Sequence, residues 1–217
     1  MIPDELTAAP AAVFPSRVGP AQPNWRRLDY LMHGNARQRS AHALLSAGLW
    51  DALQQHCSDV ALVSTVAIGL DRPQSDLDII CQHPAPAQFA AIFAAQGWQA
   101  KDKGEQVWLL AGPDGYAWPV ELYVTPAKLE TLNSWRHLTL MAALLAHFDH
   151  HFYQAVRWLR SEQGVKGEAA MCHLLGLKGD PYRALLALEG QDLGGLRWQM
   201  TALSPELATT ENRNSLS

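Results

Sequence analysis

Asp76 and Asp78 alternate with Leu77 and Ile79 at the head of an apolar run. On a strand the two carboxylates share one face, with Cα atoms roughly 6–7 Å apart. Side by side they repel and raise each other's pKa unless a cation sits between them. Oxygen-only ligands with open positions suit Mg²⁺, which takes one or two carboxylates plus substrate phosphates. Two such ions about 3.5–4 Å apart clamp the attacking and leaving oxygens of a displacement at phosphorus. Glu121, inside Val120-Glu121-Leu122-Tyr123-Val124, is the expected third ligand, because it faces away from the apolar residues of its strand. A shared metal explains that carboxylate if its strand lies beside the Asp76 strand. The structural alternative is that Asp76 only caps its turn.

Upstream, Ser64 and Thr65 end a Val/Leu-rich stretch, and Gly69, Pro73 and Ser75 follow before the aspartates. Small hydroxyl residues at a turn can donate to phosphate oxygens. Arg26, Arg27, Arg37 and Arg39 crowd the region before and within a helix start, in a chain with 17 basic residues. Arg37 and Arg39 are read as a phosphate clamp aided by the positive helix end, against the alternative of a solvated helix start. Arg72 is expected to pair with Asp71, the favoured reading, or to reach substrate. Arg136-His137 opens a long helix and could face the cleft; Lys166 could neutralise a phosphate; Trp118 could stack a base. His147, His150 and His151 form a cluster in which His147 and His151 share a helix face, so a zinc site is geometrically allowed. The cluster lacks a metalloprotease glutamate, and a surface or subunit-contact role is favoured.

The elements that must hold these residues follow from apolar spacing. A helix is expected from Asn35 to His56, capped by Asn35, with Ala41, Leu44, Leu45, Leu49 and Leu53 on one face. Strands are expected over 60–68, 77–82, 106–110 and 119–124, and a helix over 84–96 stopped by Gly97. A long helix over 133–160 follows, then one over 166–175. Asp180-Pro181 is a cap with proline at the first helical position, which starts another. The expected class is α/β (α+β): a mixed sheet flanked by helices, then a C-terminal helical part. The expected division is an arm over 1–24, a core over 25–130, helices packed on that core over 131–203 and a tail over 204–217.

The 217 residues are 48% hydrophobic and 18% charged, enough to bury a real core, with a net charge of −4. That balance gives no global basic field and disfavours long nucleic acid as a partner. Cys57, Cys81 and Cys172 make no CxxC pair and are read as reduced thiols of a cytoplasmic protein. The start is acidic, with no apolar signal segment, and no run approaches a membrane span. Oligomeric state is not legible.

The segment from Ser64 to Asp78 resembles the signature of the nucleotidyltransferase-fold superfamily, which includes DNA polymerase beta, kanamycin nucleotidyltransferase and small minimal nucleotidyltransferases. That signature is Gly then Gly or Ser, about ten residues, and Asp-x-Asp between apolar residues, with a third carboxylate on a later strand. Ser64-Thr65 stands for Gly-Ser, ten residues separate Thr65 from Asp76, and Gly69 and Ser75 match positions common in the minimal enzymes. The chain also resembles an uncharacterised bacterial branch, known as a domain of unknown function, over about 30–188. The resemblance implies a mixed sheet flanked by helices, Asp76, Asp78 and Glu121 on Mg²⁺, and Ser64, Thr65 and Ser75 near the triphosphate. It implies transfer of a nucleoside monophosphate from an NTP to an unknown acceptor hydroxyl. Two departures stand out: Ser64 replaces the first glycine, and Val66 and Ile68 stand where minimal enzymes often carry arginine. They motivate the alternative of an inactive binding or regulatory module on the same fold, for example antitoxin-like.

Overall fold

The computed structural model describes residues 22–201 together with Arg17–Val18. The expected tail lies outside the described residues, as does most of the expected arm. Strands β1 (Arg17–Val18) and β2 (Gln22–Pro23) form a small antiparallel pair. Helix α1 (Ala36–Leu44) starts at a capping box: the Asn35 side chain accepts from the Gln38 N–H, and the Gln38 side chain accepts from the Asn35 N–H. The expected continuous helix to His56 is interrupted. A wide turn over Leu45–Leu49 contains Gly48 at φ 115°, and α2 (Trp50–His56) resumes beyond it. That φ lies in the left-handed region, which glycine enters without penalty.

Strand β3 (Asp59–Leu62) is shorter than the expected 60–68. Thr65–Ile68 is instead a 3₁₀ turn capped by Ser64, with its end at Gly69 in the left-handed region. Val66, Ala67 and Ile68 are fully buried in that turn, so a buried turn reads in sequence like a buried strand. Then come β4 (Leu77–Gln82), α3 (Pro86–Ala94), β5 (Gln99–Asp102), β6 (Trp108–Ala111) and β7 (Val120–Thr125). The five longer strands make one mixed sheet in the order β3-β4-β7-β6-β5, in which β4 and β7 are parallel and the other pairs antiparallel. Strand β5 is exposed at every residue and carries no apolar alternation, so the sequence gives no strand signal there.

One face of the sheet is the core of the first compact unit, whose described part ends at Arg136. Leu62, Leu77, Ile79, Leu110, Leu122 and Val124 are buried there, and α3 packs over β5, β6 and β7 with Phe89 and Phe93 stacked 4.3 Å apart. The second unit begins at His137, within α4 (Asn133–His147). The expected helix to Arg160 ends there, because Asp149 caps a new helix, α5 (His150–Ser161), by accepting from the Phe152 N–H. Helices α6 (Gly167–Leu174) and α7 (Pro181–Leu186) complete this unit, with α6 packed against both α5 and α7. Asp180 caps α7 through the Arg183 N–H. No described helix is long and apolar enough to cross a membrane.

Candidate functional site

The pairing of β4 with β7 decides how the carboxylates meet. Asp78 and Glu121 are direct register partners in this parallel pair. Their backbones are therefore one interstrand spacing apart, about 4.8 Å. Asp76 lies one residue before β4; it and Glu121 are exposed, and Asp78 is half-buried. Leu77 and Ile79 point the other way and are buried. The Glu121 carboxyl is pushed above the usual carboxylate range, chiefly by loss of surrounding solvent and then by the charge of Asp76, while Lys103 opposes the shift. Asp76 and Glu121 therefore feel each other although they belong to different chain segments. Among the described residues no three His, Cys, Asp or Glu side chains are gathered into a ready metal-binding group.

Backbone hydrogen bonds fix the strand heads that carry these groups. The Leu77 N–H donates to the Pro119 carbonyl at 2.8 Å, locking the entry of β4 to that of β7. On the other side the Val63 N–H donates to the Asp78 carbonyl at 2.9 Å. The Ser64 hydroxyl donates to the Asp76 carbonyl at 2.6 Å. Ser64 is 1% exposed, with φ −70° and ψ 152°. Its backbone is ordinary extended chain with no need of glycine, and its hydroxyl is turned inward. Thr65 is half-buried at the start of the turn.

Ser75 closes the loop ahead of the aspartates: its hydroxyl accepts from the Arg72 N–H and its own N–H donates to the Arg72 carbonyl, both at 2.9 Å. Arg37 reaches the same loop from α1. Its guanidinium pairs with Asp71, whose side chain is 2% exposed, and donates to the Arg72 carbonyl at 2.9 Å. It also lies 3.9 Å over the ring of Trp118. Trp118 is buried, with its indole N–H on the Ser40 hydroxyl at 3.1 Å, so its place is beneath Arg37 rather than free to stack a base. Arg39 donates to the Gly34 carbonyl at 2.5 Å. Gln38, missed in the sequence, is fully buried and donates to the Val66 carbonyl at 3.1 Å, tying α1 to the 3₁₀ turn. A polar residue one turn into an amphipathic helix was the available signal. Gly34 makes room for it, since a Cβ there would lie 2.1 Å from the Gln38 amide oxygen.

The remaining candidates lie elsewhere. His147 ends α4 while His150 and His151 start α5, so His147 and His151 do not share a helix face. His137 makes a 3.0 Å hydrogen bond with the Tyr182 carbonyl, and Lys166 lies 3.4 Å from the Tyr182 hydroxyl. Arg136 donates to the Asn133 side chain at 3.1 Å.

A family model described as "Domain of unknown function (DUF4269)" matches residues 42–188, a span that contains all three carboxylates. No curated protein matches. Among solved structures the chain is similar to a cytoplasmic RNA terminal U-transferase, at 16% identity and TM-score 0.47, over 63% of this chain and 47% of that one. It is also similar to Cid1 in complex with the UTP analog UMPNPP, at 16% identity and TM-score 0.46, over 63% and 47%. The Cid1 poly(U) polymerase crystal structure matches at 17% identity and TM-score 0.46, over 64% and 48%. The chain spans about half the length of these structures.

Proposed function

We propose that this chain, which belongs to the DUF4269 family, is a nucleotidyltransferase-fold enzyme that moves a nucleoside monophosphate from an NTP to an acceptor hydroxyl. The observation that carries the reading is the register that sets Asp78 beside Glu121, with Asp76 near enough to be felt by Glu121. Like-charged neighbours on an otherwise ordinary sheet are what a cation would relieve. The donor set is all carboxylate oxygen, which fits Mg²⁺, and Asp76, Asp78 and Glu121 would hold it. Side-chain torsions would gather the three groups, which do not stand together unaided. Bound there, Mg²⁺ supplies positive charge to the phosphates.

The chain's own residues do the rest. The acceptor oxygen attacks the α-phosphorus, the bond to the bridging oxygen breaks, and pyrophosphate leaves. Glu121, at the head of β7 beside Asp78, takes the acceptor's proton. Thr65 and the backbone of its turn face the triphosphate. Ser64, Ser75, Arg37 and Arg39 support that surface, since their side chains are already engaged in the fold. A cytoplasmic setting fits the three free thiols.

NTP labelled at the α-phosphate, incubated with the protein, Mg²⁺ and cell extract, should label an acceptor; γ-labelled NTP should not. The label should vanish in Asp76→Asn/Asp78→Asn. Absence of NTP binding at millimolar Mg²⁺ would end the enzyme reading. The second reading is a binding module without turnover. It is favoured by the buried Val66 and Ile68 and by arginines engaged within the fold. It predicts NTP binding with no transfer.

A further inference from the structure

The carboxylate-bearing face of the sheet is covered on one side only. Over β3 and β4, Ala61 and Ile80 are buried, and the turn Leu129–Thr131 packs against both strands. Over β7, β6 and β5 the same face is open: Tyr123 and Leu109 are half-buried, and Ala111 and Lys101 are exposed. Register fixes which residues belong to it. Glu121 opposes Ala111, Tyr123 opposes Leu109, and Leu109 opposes Lys101, so Lys101 projects on the side of Glu121. Lys103 follows two residues on and is likewise exposed. Among the described residues neither ammonium takes part in an ion pair or hydrogen bond.

The two ends of this face differ. The Ser64–Thr65 turn leaves β3, on one flank of β4, while the lysines stand on the opposite flank, beyond β7. Resting on the proposed function, which gives the donor's triphosphate to the Thr65 flank, the other flank is left for the second reactant. We infer that the acceptor is an anion, a hydroxyl compound bearing a phosphate-type group, which lies over Tyr123 and Leu109 with its charge on Lys101 and Lys103. Two ammonium groups without an ion-pair or hydrogen-bond partner among the described residues, beside an acidic centre, complement such a molecule and disfavour a cationic one. The distance matters as much as the sign. Lysine stems are long and flexible, and the floor between them and Glu121 spans two strand spacings, about 10 Å. That leaves room for a small molecule whose hydroxyl reaches Glu121 while its charged group stays on the lysines.

The test uses the full chain, observed by amide chemical shifts, with inorganic phosphate and Mg-ATP as separate probes. Phosphate should displace signals of residues 101–111 and 123, and should still do so when the protein is saturated with Mg-ATP. Mg-ATP should displace signals of residues 64–66 and 76–78. Lys101→Gln/Lys103→Gln should weaken phosphate binding about tenfold and leave Mg-ATP binding unchanged. Phosphate shifts that disappear under saturating Mg-ATP would assign the lysines to the donor and overturn the inference. Absent shifts, or shifts indifferent to the double variant, would also overturn it and leave the lysines as guards of an exposed sheet edge. Failure of Mg-ATP to bind at all is read separately, at residues 64–66 and 76–78, and would strike the proposed function itself.

Discussion

Glu121 carries the sharpest expectation for a single residue. Its folded-state proton affinity is raised by lost solvent and by Asp76. A carboxyl with a raised folded pKa works against the native state once it is ionised, because the unfolded chain ionises it at lower cost. Glu121→Gln should therefore raise the melting temperature at pH 7 while lowering transfer by about a hundredfold or more. Millimolar Mg²⁺ should raise the melting temperature of the wild type and leave that of Glu121→Gln nearly unmoved. A variant stabilised by Mg²⁺ as much as the wild type would remove Glu121 from the metal site. Ser64 carries a different expectation. Its hydroxyl bonds the Asp76 carbonyl and its φ is −70°. Ser64→Ala should cost about 1 kcal/mol in chemical denaturation, the worth of one hydrogen bond. Ser64→Gly should bring no gain in transfer, since the backbone has no left-handed conformation there for glycine to serve. That Asp78 and Glu121 point away from the buried face is legible in the sequence, because an acid alternating with buried apolar residues has few explanations. The inward turn of Ser64 was not, because nothing in its type says whether a hydroxyl at a strand end faces ligand or backbone.

At the scale of elements, the heads of β4 and β7 are held by α1. Arg37 joins that helix to the loop at Asp71 and Arg72 and covers Trp118, the residue next to the Pro119 that bonds Leu77. Asp71 is nearly inaccessible, so losing its partner leaves a buried charge. Arg37→Lys keeps the charge but not the flat fork that bonds loop and ring together. It should lower stability by about 1–2 kcal/mol. A double-mutant cycle of Arg37→Ala with Asp71→Asn should return a coupling of about 1–3 kcal/mol. Additive losses would mean the pair does not tie the loop. The sequence supplied this helix start and both strand heads but mistook their connections. Buried apolar residues in the Thr65–Ile68 turn imitate a strand, and the exposed β5 lacks any pattern. Gly48 and Asp149 each divide what helical periodicity alone joins, because a stripe of apolar residues can continue across a break in the backbone.

Across the whole molecule, acid response combines groups that shift in opposite directions. In the first unit Arg26 bonds Asp59 at 2.7 Å, pairs with Glu130 and lies 4.7 Å over the Trp135 ring, so one cation joins the chain before α1, strand β3 and the start of α4. Its hydrogen bond holds the Glu130 carboxyl below the usual range. A depressed carboxyl contributes stability above its unfolded pKa, about 4.3, and loses it as pH falls through the folded pKa. Glu121 behaves oppositely. Its folded pKa lies above the unfolded value, so the native state takes up a proton first and gains stability as pH falls between the two. On acidification from pH 7 the wild-type melting temperature should therefore carry a gain from Glu121 before the loss from Glu130 sets in near pH 4. The contributions are separable by variant. Subtracting the Glu121→Gln curve should leave a difference that shrinks toward acid pH, and subtracting Glu130→Gln one that shrinks only below about pH 4.3. Both effects should be modest, because Glu121 is exposed and the Glu130 side chain is 46% exposed. Wild-type and Glu121→Gln curves that stay parallel from pH 7 to 3 would mean that Asp76 and Glu121 do not share a field. That would remove the electrostatic reason for placing a cation between them.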